Sequence, residues 1–374
     1  MNEILLLSAG LLSIFSSKLP VETLVLPEGF VISVYARDVD NARQMALGDN
    51  GVLFVGSRDA GKVYALVDKN GDGKIDDKVD KKYIIASNLE LPSGIAFRGG
   101  SLYVAAVSRV LRYDNIESRL ENPPKPVVVT NKLPTDKYHG WKYLGFGPDG
   151  FLYIPVGVPC NVCLTHDKRH GSILQFDITT GRSKIYASGI RNSVGFDWHP
   201  DTKELWFTDN GRDHMGDNKP PDELNRVPVN SLNPNFGFPF IHGNDVRDPD
   251  YGDEAQPESY VKPALELGAH VAPLGMTFYT GRQFPEKYRK RIIIAEHGSW
   301  NRSEKTGYRL ISVTINGSWV ESVEPFVTGW LKKGEEDAAG FHWGRPVDVI
   351  NMPDGSLLVS DDYADAIYRI SYSK

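Results

Sequence analysis

The chain has 374 residues, of which 41% are hydrophobic and 24% charged, a composition that excludes disordered and fibrous proteins. Its 36 glycines, 24 prolines and 17 tyrosines favour many short strands joined by tight turns. The formal net charge is −6 and the sequence has no long basic run, which argues against a nucleic-acid partner and favours a small, polar or neutral substrate.

The N-terminal segment contains an apolar run of twelve residues, 4–15. This run is too short to span a bilayer comfortably and is typical of the apolar part of a secretory signal. Glu3 stands where a basic residue is usual, so an uncleaved membrane anchor is the alternative. Residues 1–25 are therefore predicted to be a signal or anchor plus a linker, and 26–374 a single domain in the periplasm or outside the cell. Contact with a membrane is expected only through an uncleaved anchor.

One pattern recurs along the rest of the chain: a strand, a turn with Gly or Asp, a second strand of the type xLYV, and a later strand of the type xVYxL or xIYRI. The copies begin at Ala46, Ile95, Tyr143, Gly195, Met276 and Val349. Repeats of roughly 50 to 80 residues, each with about four short strands, are typical of propeller blades. The predicted fold class is therefore all-β, a six-bladed β-propeller. The strand at 29–37 is left over, and we expect it to pair in the last blade and close the ring.

The first predicted blade contains an acidic loop, DKNGDGKIDDKV, at 68–79. Asp68, Asn70, Asp72 and Asp76 match the first, third, fifth and ninth positions of an EF-hand-like calcium loop. Val79 stands where that loop needs a bidentate Glu. Two interpretations stay open: a structural calcium site, or a solvated hairpin tip built on the NGDG turn.

The only cysteines, Cys160 and Cys163, stand in the sequence VPCNVCLTHD. In an exported protein such a pair is expected to form a local disulfide or to remain a thiol pair in a loop. His166 and His170 follow at a spacing that also suggests zinc. Four ligands in so short a loop leave no second element to clamp the metal, so the disulfide or thiol pair is favoured.

Polar residues cluster directly before the inner strand, or directly after the second strand, of the later predicted blades. Equivalent positions in successive blades lie at the same mouth of the central channel, so these residues should meet in space. They are His139 in blade three, Arg191, Asn192 and 209–213 in blade four, 295–303 in blade five, and 342–348 in blade six. Long insertions in blades four and five add loops, and such loops are usually functional in a compact domain.

With these motifs in place, the sequence resembles the soluble pyrroloquinoline-quinone (PQQ) sugar dehydrogenases, most closely their sorbosone or aldose dehydrogenase branch. The motifs that carry the resemblance are HGWKYLGFGPDGFLYIPVG, GIRNSVGFDWHP, LWFTDNGRD…PPDELNRV, NFGFPF, APLGMTFYTG, AEHGSWNRS and GRPVDVINMPDGSLLVSDD. They extend over nearly the whole chain from Leu26, and their order is more specific than any one of them. The resemblance implies oxidation of a small sugar with PQQ and calcium as cofactors and a separate electron acceptor.

The resemblance also implies roles for individual residues. His139 matches the general base that takes the proton of the anomeric hydroxyl, and Arg191 with Asn192 matches the Arg-Asn pair beside the cofactor. Gly211 and Arg212 match the two positions whose backbone carbonyls hold a calcium ion. The last two matches are Arg345, which would bind a cofactor carboxylate, and Arg302, in the region of another cationic contact.

Three positions depart from the family pattern. Tyr138 stands where relatives have Asp, Ser93 where some have Gln, and Val347 where a second arginine follows in blade six. These departures concern sugar specificity and cofactor affinity more than the type of reaction. Two other functions stay open: a calcium-dependent lactonase-type hydrolase and a non-catalytic binding propeller. The sequence has no dinucleotide-binding glycine motif between a strand and a helix, which argues against a nicotinamide enzyme.

Overall fold

The computed structural model describes residues 19–76, 78–334 and 337–373. The apolar run at 4–15, with the predicted signal or anchor, lies outside the described residues. No helix in the described part of the chain is long and apolar enough to cross a membrane. The chain enters the fold through a short 3-10 helix, Val21–Thr23, and a first strand, β1, at Phe30–Ala36.

Six four-stranded antiparallel sheets form the blades of a β-propeller, which confirms the predicted fold class. Blade one contains β2 (Ala42–Leu47), β3 (Leu53–Ser57), β4 (Val63–Val67) and β5 (Lys81–Ala86), and blade two contains β6 (Gly94–Arg98), β7 (Ser101–Ala105), β8 (Val110–Tyr113) and β9 (Val127–Thr130). Blade three contains β10 (Gly145–Phe146), β11 (Leu152–Val156), β12 (Ser172–Phe176) and β13 (Ser183–Ser188).

The last three blades carry the insertions. Blade four contains β14 (Phe196–Trp198), β15 (Leu205–Asp209), β16 (Glu223–Arg226) and β19 (Leu265–Glu266), with a hairpin of β17 (Ile241–His242) and β18 (Val246–Arg247) inserted before β19. Blade five contains β20 (Pro273–Phe278), β21 (Ile292–Glu296), β22 (Arg309–Asn316) and β23 (Trp319–Val327), and the hairpin of β24 (Leu331–Gly334) and β25 (Asp337–His342) follows it. Blade six contains β26 (Pro346–Asn351), β27 (Leu357–Asp361), β28 (Ala366–Tyr372) and β1. Four more 3-10 helices lie in the connections, at Ile116–Ser118, Gly252–Glu254, Pro257–Ser259 and Glu286–Tyr288.

The ring closes as expected, because β1 pairs antiparallel with β28 from Phe30 opposite Tyr372 to Ala36 opposite Ile367. This pairing removes the exposed edge of the last blade. The ring of Phe30 contacts four aromatic rings edge-on, those of Phe284, Tyr288, Phe326 and Tyr372. The closing strand is therefore fixed by an apolar cluster as well as by its ladder.

The segment before β1 also packs on the propeller. Leu24 is buried against blades five and six. Val25 and Thr328 exchange two backbone hydrogen bonds of 2.8 and 3.0 Å. Residues 19–25, predicted as part of a linker, thus contribute to the packing.

Apolar clusters lie between neighbouring blades, since the central strands are buried on both faces; in β3, for example, all five residues are buried. The first strands of the blades contact one another around the central channel. Loops that precede these strands, and loops that follow the second strands, therefore meet at one mouth of the channel. This geometry places the candidate site.

Candidate active site

A cavity of about 310 Å³ opens where those loops meet. It is lined by Arg43, Arg58, Tyr138, His139, Trp141, Arg191, Asn192, Asn210, Gly211, Asp213, Asp222, His270, Ala272, Leu274, His297, Gly298, Trp300, Asn301 and Arg345. Five of the residues with an expected individual role meet here: His139, Arg191, Asn192, Gly211 and Arg345. Members of the predicted clusters 209–213 and 295–303 line the same cavity. Positions scattered over some 200 residues of sequence are thus brought together by blades three, four and six.

His139 presents one ring nitrogen as a proton acceptor. Its Nδ1 lies 2.9 Å from the carbonyl oxygen of Val158. A carbonyl oxygen only accepts hydrogen bonds, so Nδ1 carries the proton and Nε2 of the neutral ring keeps its lone pair. Burial and the positive charges of Arg191 and Lys142 lower the pKa of His139 from 6.5 to about 3. The ring is therefore neutral at physiological pH and has the tautomer of a general base.

The backbone around His139 is shaped for this placement. His139 has a φ of +50°, in the left-handed region that a non-glycine residue adopts at a cost. Gly157 packs directly against it: a Cβ on Gly157 would lie 2.6 Å from the Cβ of His139 and 3.0 Å from Oδ1 of Asn192. A side chain at position 157 would push His139 out of place, so the glycine allows the close approach of the two loops.

Arg191 is buried and held by blade four. Its backbone N–H donates to Oδ2 of Asp209 at 2.8 Å, and the N–H of Asn192 donates to the other oxygen at 2.6 Å. Its guanidinium donates to the carbonyl oxygen of Asn210 and forms an ion pair with Asp213 at 3.1 Å. Burial raises the pKa of Asp209, and the two backbone amides oppose that rise. The carboxylate of Asp209 therefore fixes the backbone of Arg191 and Asn192.

The Gly211 N–H and the terminal guanidinium nitrogen Nη1 of Arg212 are both hydrogen-bonded to carboxylates. Gly211 N–H donates to Oδ1 of Asp222 at 2.7 Å. The guanidinium of Arg212 turns away from the cavity and pairs with Asp248 at 2.6 Å and with Asp250 at 3.1 Å. Among the hydrogen bonds between described residues, none ends on the carbonyl oxygen of Gly211 or Arg212. Free carbonyl oxygens are suitable ligands for a hard cation such as calcium.

Blade one contributes two cations, Arg43 and Arg58, that were not predicted from the sequence. Arg43 is 2% exposed and its Nε, which is buried, has no hydrogen-bond partner among the described residues. The guanidinium of Arg58 lies over the ring of Trp141 at 4.8 Å, and the buried Nε1 of Trp141 likewise has no partner in the described part of the chain. These unpaired donors belong to residues that line the cavity, which suits a ligand rich in hydrogen-bond acceptors.

Arg43 and His297 share one carboxylate. Asp362 accepts from Arg43 Nη1 at 2.8 Å and lies 2.7 Å from Nε2 of His297. Burial alone would raise its pKa, but His297 and Arg43 hold the pKa of Asp362 far below its usual value. Burial lowers the pKa of His297 to about 4, so His297 is neutral near pH 7 and donates to Asp362 through Nε2.

Arg345 extends this cationic wall. Its Nε donates to the carbonyl oxygen of His297 at 3.1 Å and its Nη2 to that of Gly298 at 2.7 Å. The cavity thus has four arginines, Arg43, Arg58, Arg191 and Arg345, against two lining carboxylates, Asp213 and Asp222. Blade six has Val347 where a second arginine was expected, and blade one adds Arg43 and Arg58 to the same cavity.

Arg302 does not line the cavity, unlike the expectation for a cofactor contact. Its Nη1 donates to the carbonyl oxygen of Asp217, and Ser303 bonds the carboxylate of the same residue through its N–H and its hydroxyl. These contacts tie a loop of blade four to a loop of blade five. The guanidinium of Arg302 is directed at the loop of blade four, so Arg302 connects two loops beside the cavity.

The acidic loop of blade one bonds to itself. Asp68 accepts from the N–H groups of Gly71 and Gly73, and Asp72 accepts from that of Lys74. Asp76 accepts from the N–H of Lys78, while Asn70 accepts from that of Asp72. Within the described residues, which omit Asp77, no three His, Cys, Asp or Glu side chains are placed to hold a metal. Calcium at this loop stays a prediction.

Cys160 and Cys163 are joined by a disulfide. Of the two histidines that suggested zinc, His170 instead lies 3.1 Å from the carboxylate of Asp136. The alternative of a free thiol pair does not describe this structure.

The position before the inner strand was a usable signal for one of the missed residues. Arg43 lies at the start of β2, as Arg345 does just before β26, so the same rule applied to blade one would have found it. Arg58 directly follows β3, the second strand of blade one, so the other half of the same rule would have found it. Asp222 directly precedes β16, and His270 lies in the connection between β19 and β20, and the rule covers neither place.

A six-bladed propeller with a cationic cavity and a neutral, oriented histidine at one mouth of its channel belongs to the propellers that bind small molecules. Residues 104–368 match the model of the Glucose / Sorbosone dehydrogenase family, and the chain belongs to this family.

Two curated relatives differ in how much of this chain they cover. A protein of Borreliella burgdorferi described only as uncharacterized is 34% identical over 367 residues, which cover 94% of this chain and 92% of that protein. The pyrroloquinoline quinone-dependent pyranose dehydrogenase of Coprinopsis cinerea is 32% identical over 125 residues, 29% of this chain and 16% of that protein.

Solved structures share the fold at low sequence identity. The PQQ domain of the Coprinopsis cinerea pyranose dehydrogenase, in its holo form, superimposes with a TM-score of 0.76 at 18% identity, over 93% of this chain and 97% of that one. A calcium structure of a Trichoderma reesei Carbohydrate-Active Enzymes Family AA12 protein has a TM-score of 0.77 at 19% identity, over 94% and 97% of the two chains. A PQQ-bound aldose sugar dehydrogenase from Streptomyces coelicolor has a TM-score of 0.65 at 19% identity, over 93% and 100%.

Proposed function

We propose that the protein is a PQQ- and calcium-dependent dehydrogenase that oxidises an aldose-type sugar or a sorbosone-like aldehyde. The observation that carries the proposal is His139, whose tautomer leaves Nε2 free as a proton acceptor in a cavity lined by four arginines. Family membership and the names of the relatives support the same activity. Location in the periplasm or outside the cell is part of the proposal, since it agrees with a disulfide.

The residues present fit both cofactors. PQQ is a carboxylate-bearing quinone, and the unpaired donors of Arg43 and Trp141, together with Arg345, are suited to its carboxylates. Calcium would be held by the carbonyl oxygens of Gly211 and Arg212. When bound, the quinone supplies the hydride acceptor and the calcium ion polarises it.

Residues of the chain itself would accept the proton of the sugar hydroxyl and stabilise the charge that develops during the reaction. Nε2 of His139 would take the proton of the sugar hydroxyl, and its Nδ1–H bond to Val158 would keep the ring in place during the transfer. Arg191, fixed by Asp209 and Asp213, would place a positive charge beside the reacting groups. Asn192 lies next to His139 and Gly157 and would orient the ligand from the same side.

The test is reconstitution of the full chain with PQQ and calcium, followed by dye reduction over a panel of aldoses. Wild type is expected to reduce the dye only with sugar and both cofactors present. His139→Ala should lower kcat/KM by about 100- to 10,000-fold while retaining the cofactor absorbance after desalting. His199→Gln is the matched control, because His199 accepts bonds from Asp201 and Thr202 at the β14–β15 turn, at the other end of the blade.

Two results would contradict the proposal. One is a wild type without sugar-dependent dye reduction and without retained PQQ absorbance, which would favour a binding propeller or a lactonase-type hydrolase. The other is a His139→Ala variant as active as wild type, which would remove the base.

A further inference from the structure

Asn161 lies between the two cysteines and connects the disulfide loop to the cavity wall. Among the hydrogen bonds between described residues, those from 160–163 to residues that line the cavity all involve Asn161. Its backbone carbonyl oxygen accepts from Nε of Arg191 at 2.8 Å. Its side-chain oxygen accepts from Nη2 of Arg191 at 2.9 Å and from the N–H of Asp213 at 2.8 Å. Its side-chain amide donates to the carbonyl oxygen of Asp213 at 3.0 Å. One residue therefore forms four hydrogen bonds to two residues that line the cavity.

Two of the four hydrogen bonds that hold the guanidinium of Arg191 are accepted by Asn161. Asn161 receives two parallel N–H groups from it, a two-point contact that sets the plane of the guanidinium. The remaining partners are the carbonyl oxygen of Asn210 at 3.2 Å and the carboxylate of Asp213 at 3.1 Å. An arginine held in one conformation loses rotamer entropy, so removal of the two-point contact would increase the freedom of the guanidinium.

The same residue fixes the end of the segment that presents the two free carbonyls. Asp213 directly follows Arg212, and Asn161 holds Asp213 at both its N–H and its carbonyl oxygen. From the other side, Asp222 holds the N–H of Gly211. The peptide units between these two anchors therefore have little freedom to turn.

Asn161 needs a fixed backbone to do this, and its loop has little packing of its own. Residues 159–163 are only partly buried, and Leu164 is 56% exposed. A cross-link between Cys160 and Cys163 restricts the backbone of the two residues it encloses, which lowers the entropic cost of holding Asn161 in one conformation.

We propose that Asn161 is a positioning residue for Arg191 and for the segment 211–213, and that the Cys160–Cys163 disulfide holds Asn161 in the orientation that these contacts require. The catalytic meaning of this placement rests on the proposed function, whereas the placement itself does not.

Hydrogen exchange of the protein without cofactors tests the placement directly. In Asn161→Ala, peptides covering 209–216 should exchange at least tenfold faster, because the N–H of Asp213 loses its acceptor. Leu164→Ala is the matched control in the same loop and should leave that exchange unchanged. Asn161→Asp keeps the side-chain acceptor and should recover part of the protection. Exchange that is equal in wild type and Asn161→Ala would overturn the proposal.

Reduction of the disulfide tests the second half of the proposal. A dithiol passes two electrons and two protons to the cystine, which gives two thiols, and becomes a cyclic disulfide itself. The reduced wild type, and the Cys160→Ser/Cys163→Ser variant, should show the same faster exchange at 209–216, and reoxidation should restore wild type only. Unchanged exchange in both reduced forms would overturn the role of the disulfide.

Kinetics separates this proposal from the proposed function. With PQQ, calcium and sugar, Asn161→Ala should lower kcat at least tenfold, with Leu164→Ala at wild-type rate and Asn161→Asp in between. If wild type oxidises no sugar but the exchange results hold, the dehydrogenase assignment fails and the positioning role stands. If wild type is active and Asn161→Ala matches it in both kcat and exchange, the positioning role fails alone.

Discussion

His139 combines a buried ring with two nearby positive charges, and both conditions disfavour its protonated form. Its pKa of about 3 lies below the 6.5 of an exposed histidine, so between these values the unfolded chain binds a proton that the folded chain does not. Unfolding is then favoured as the pH falls through this window. The contribution is absent above pH 6.5 and grows towards pH 3.

This sign gives a prediction for the cofactor-free protein. His139→Gln, which does not titrate, should gain stability relative to wild type by about 2 kcal/mol when the pH is lowered from 7 to 5, since each pH unit below 6.5 contributes about 1.4 kcal/mol. Urea unfolding of both proteins at pH 7, 6 and 5 measures the difference. A gap between the two proteins that is the same at all three pH values would contradict the pKa of His139.

At the residue scale, the sequence predicted where a residue lies in its blade better than where its side chain points. The place before an inner strand predicted that His139, Arg191, Asn192 and Arg345 would meet, because that place is set by the repeat. The direction of a long side chain depends on partners far away in the sequence. Arg302 turns to Asp217 for this reason, a contact that no local pattern encodes.

At the scale of elements, the inserted hairpin of blade four supports the site from outside. Asp248 follows β18 and is fully buried as a side chain; its Oδ2 accepts from Arg212 at 2.6 Å and lies 2.9 Å from Nε2 of His242. Its Oδ1 accepts from the N–H groups of Asp250 and Tyr251. The insertion is thus attached to the Gly211-Arg212 segment by a buried ion pair whose carboxylate accepts hydrogen bonds at both oxygens.

A pair of neutral substitutions tests this attachment. Asp248→Asn should destabilise the protein by about 3 kcal/mol, because it leaves the buried guanidinium of Arg212 without its buried anion and with only the exposed carboxylate of Asp250. Asp250→Asn should cost about 1 kcal/mol or less, since Asp250 contacts the same nitrogen but its side chain is 60% exposed. Urea unfolding gives both values. Equal losses in the two variants would show that the burial of Asp248 has no special effect.

The sequence predicted the blades better than the insertions, for a physical reason. The central strands are long enough to show their repeated aromatic and apolar pattern, as in LLVSD of β27. The inserted strands β17 and β18 have two residues each, too few for an alternating pattern. The outermost strand of blade four, β19, also has two residues and comes after the insertion, so its blade could not be completed from the sequence.

At the scale of the whole molecule, one strand joins the two ends of the ring. The sequence predicted this closure from a strand that no repeat used, and β1 indeed pairs with β28. The packing of residues 19–25 had no counterpart in the sequence, because Leu24 and the Val25–Thr328 pairing follow no periodic pattern. Contacts between residues so far apart in the sequence can be identified only in the three-dimensional structure.

Neighbouring residues of β1 provide the test of closure. Phe30→Ala should destabilise the propeller by about 3 to 5 kcal/mol, because it empties the centre of the aromatic cluster formed with blade five and β28. Val31→Ala, one residue further along the same strand, is 48% exposed and should cost less than about 1 kcal/mol. Thermal and urea unfolding compare the two variants. A loss at Val31 as large as that at Phe30 would contradict this account of the closure.

The four arginines of the cavity lie on both sides of the β1–β28 pairing that closes the ring. Arg43 follows β1 in the chain, whereas Arg345 precedes β26, so separating β1 from β28 would carry the two guanidinium groups apart. An anion bound by both would have high affinity only for the closed ring. By mass action, such a ligand at one hundred times its dissociation constant would add about 2.7 kcal/mol to the stability of closure. The ligand would then hold the two ends of the chain together. A protein without this ligand would lose resistance to heat and proteolysis first where β1 pairs with β28.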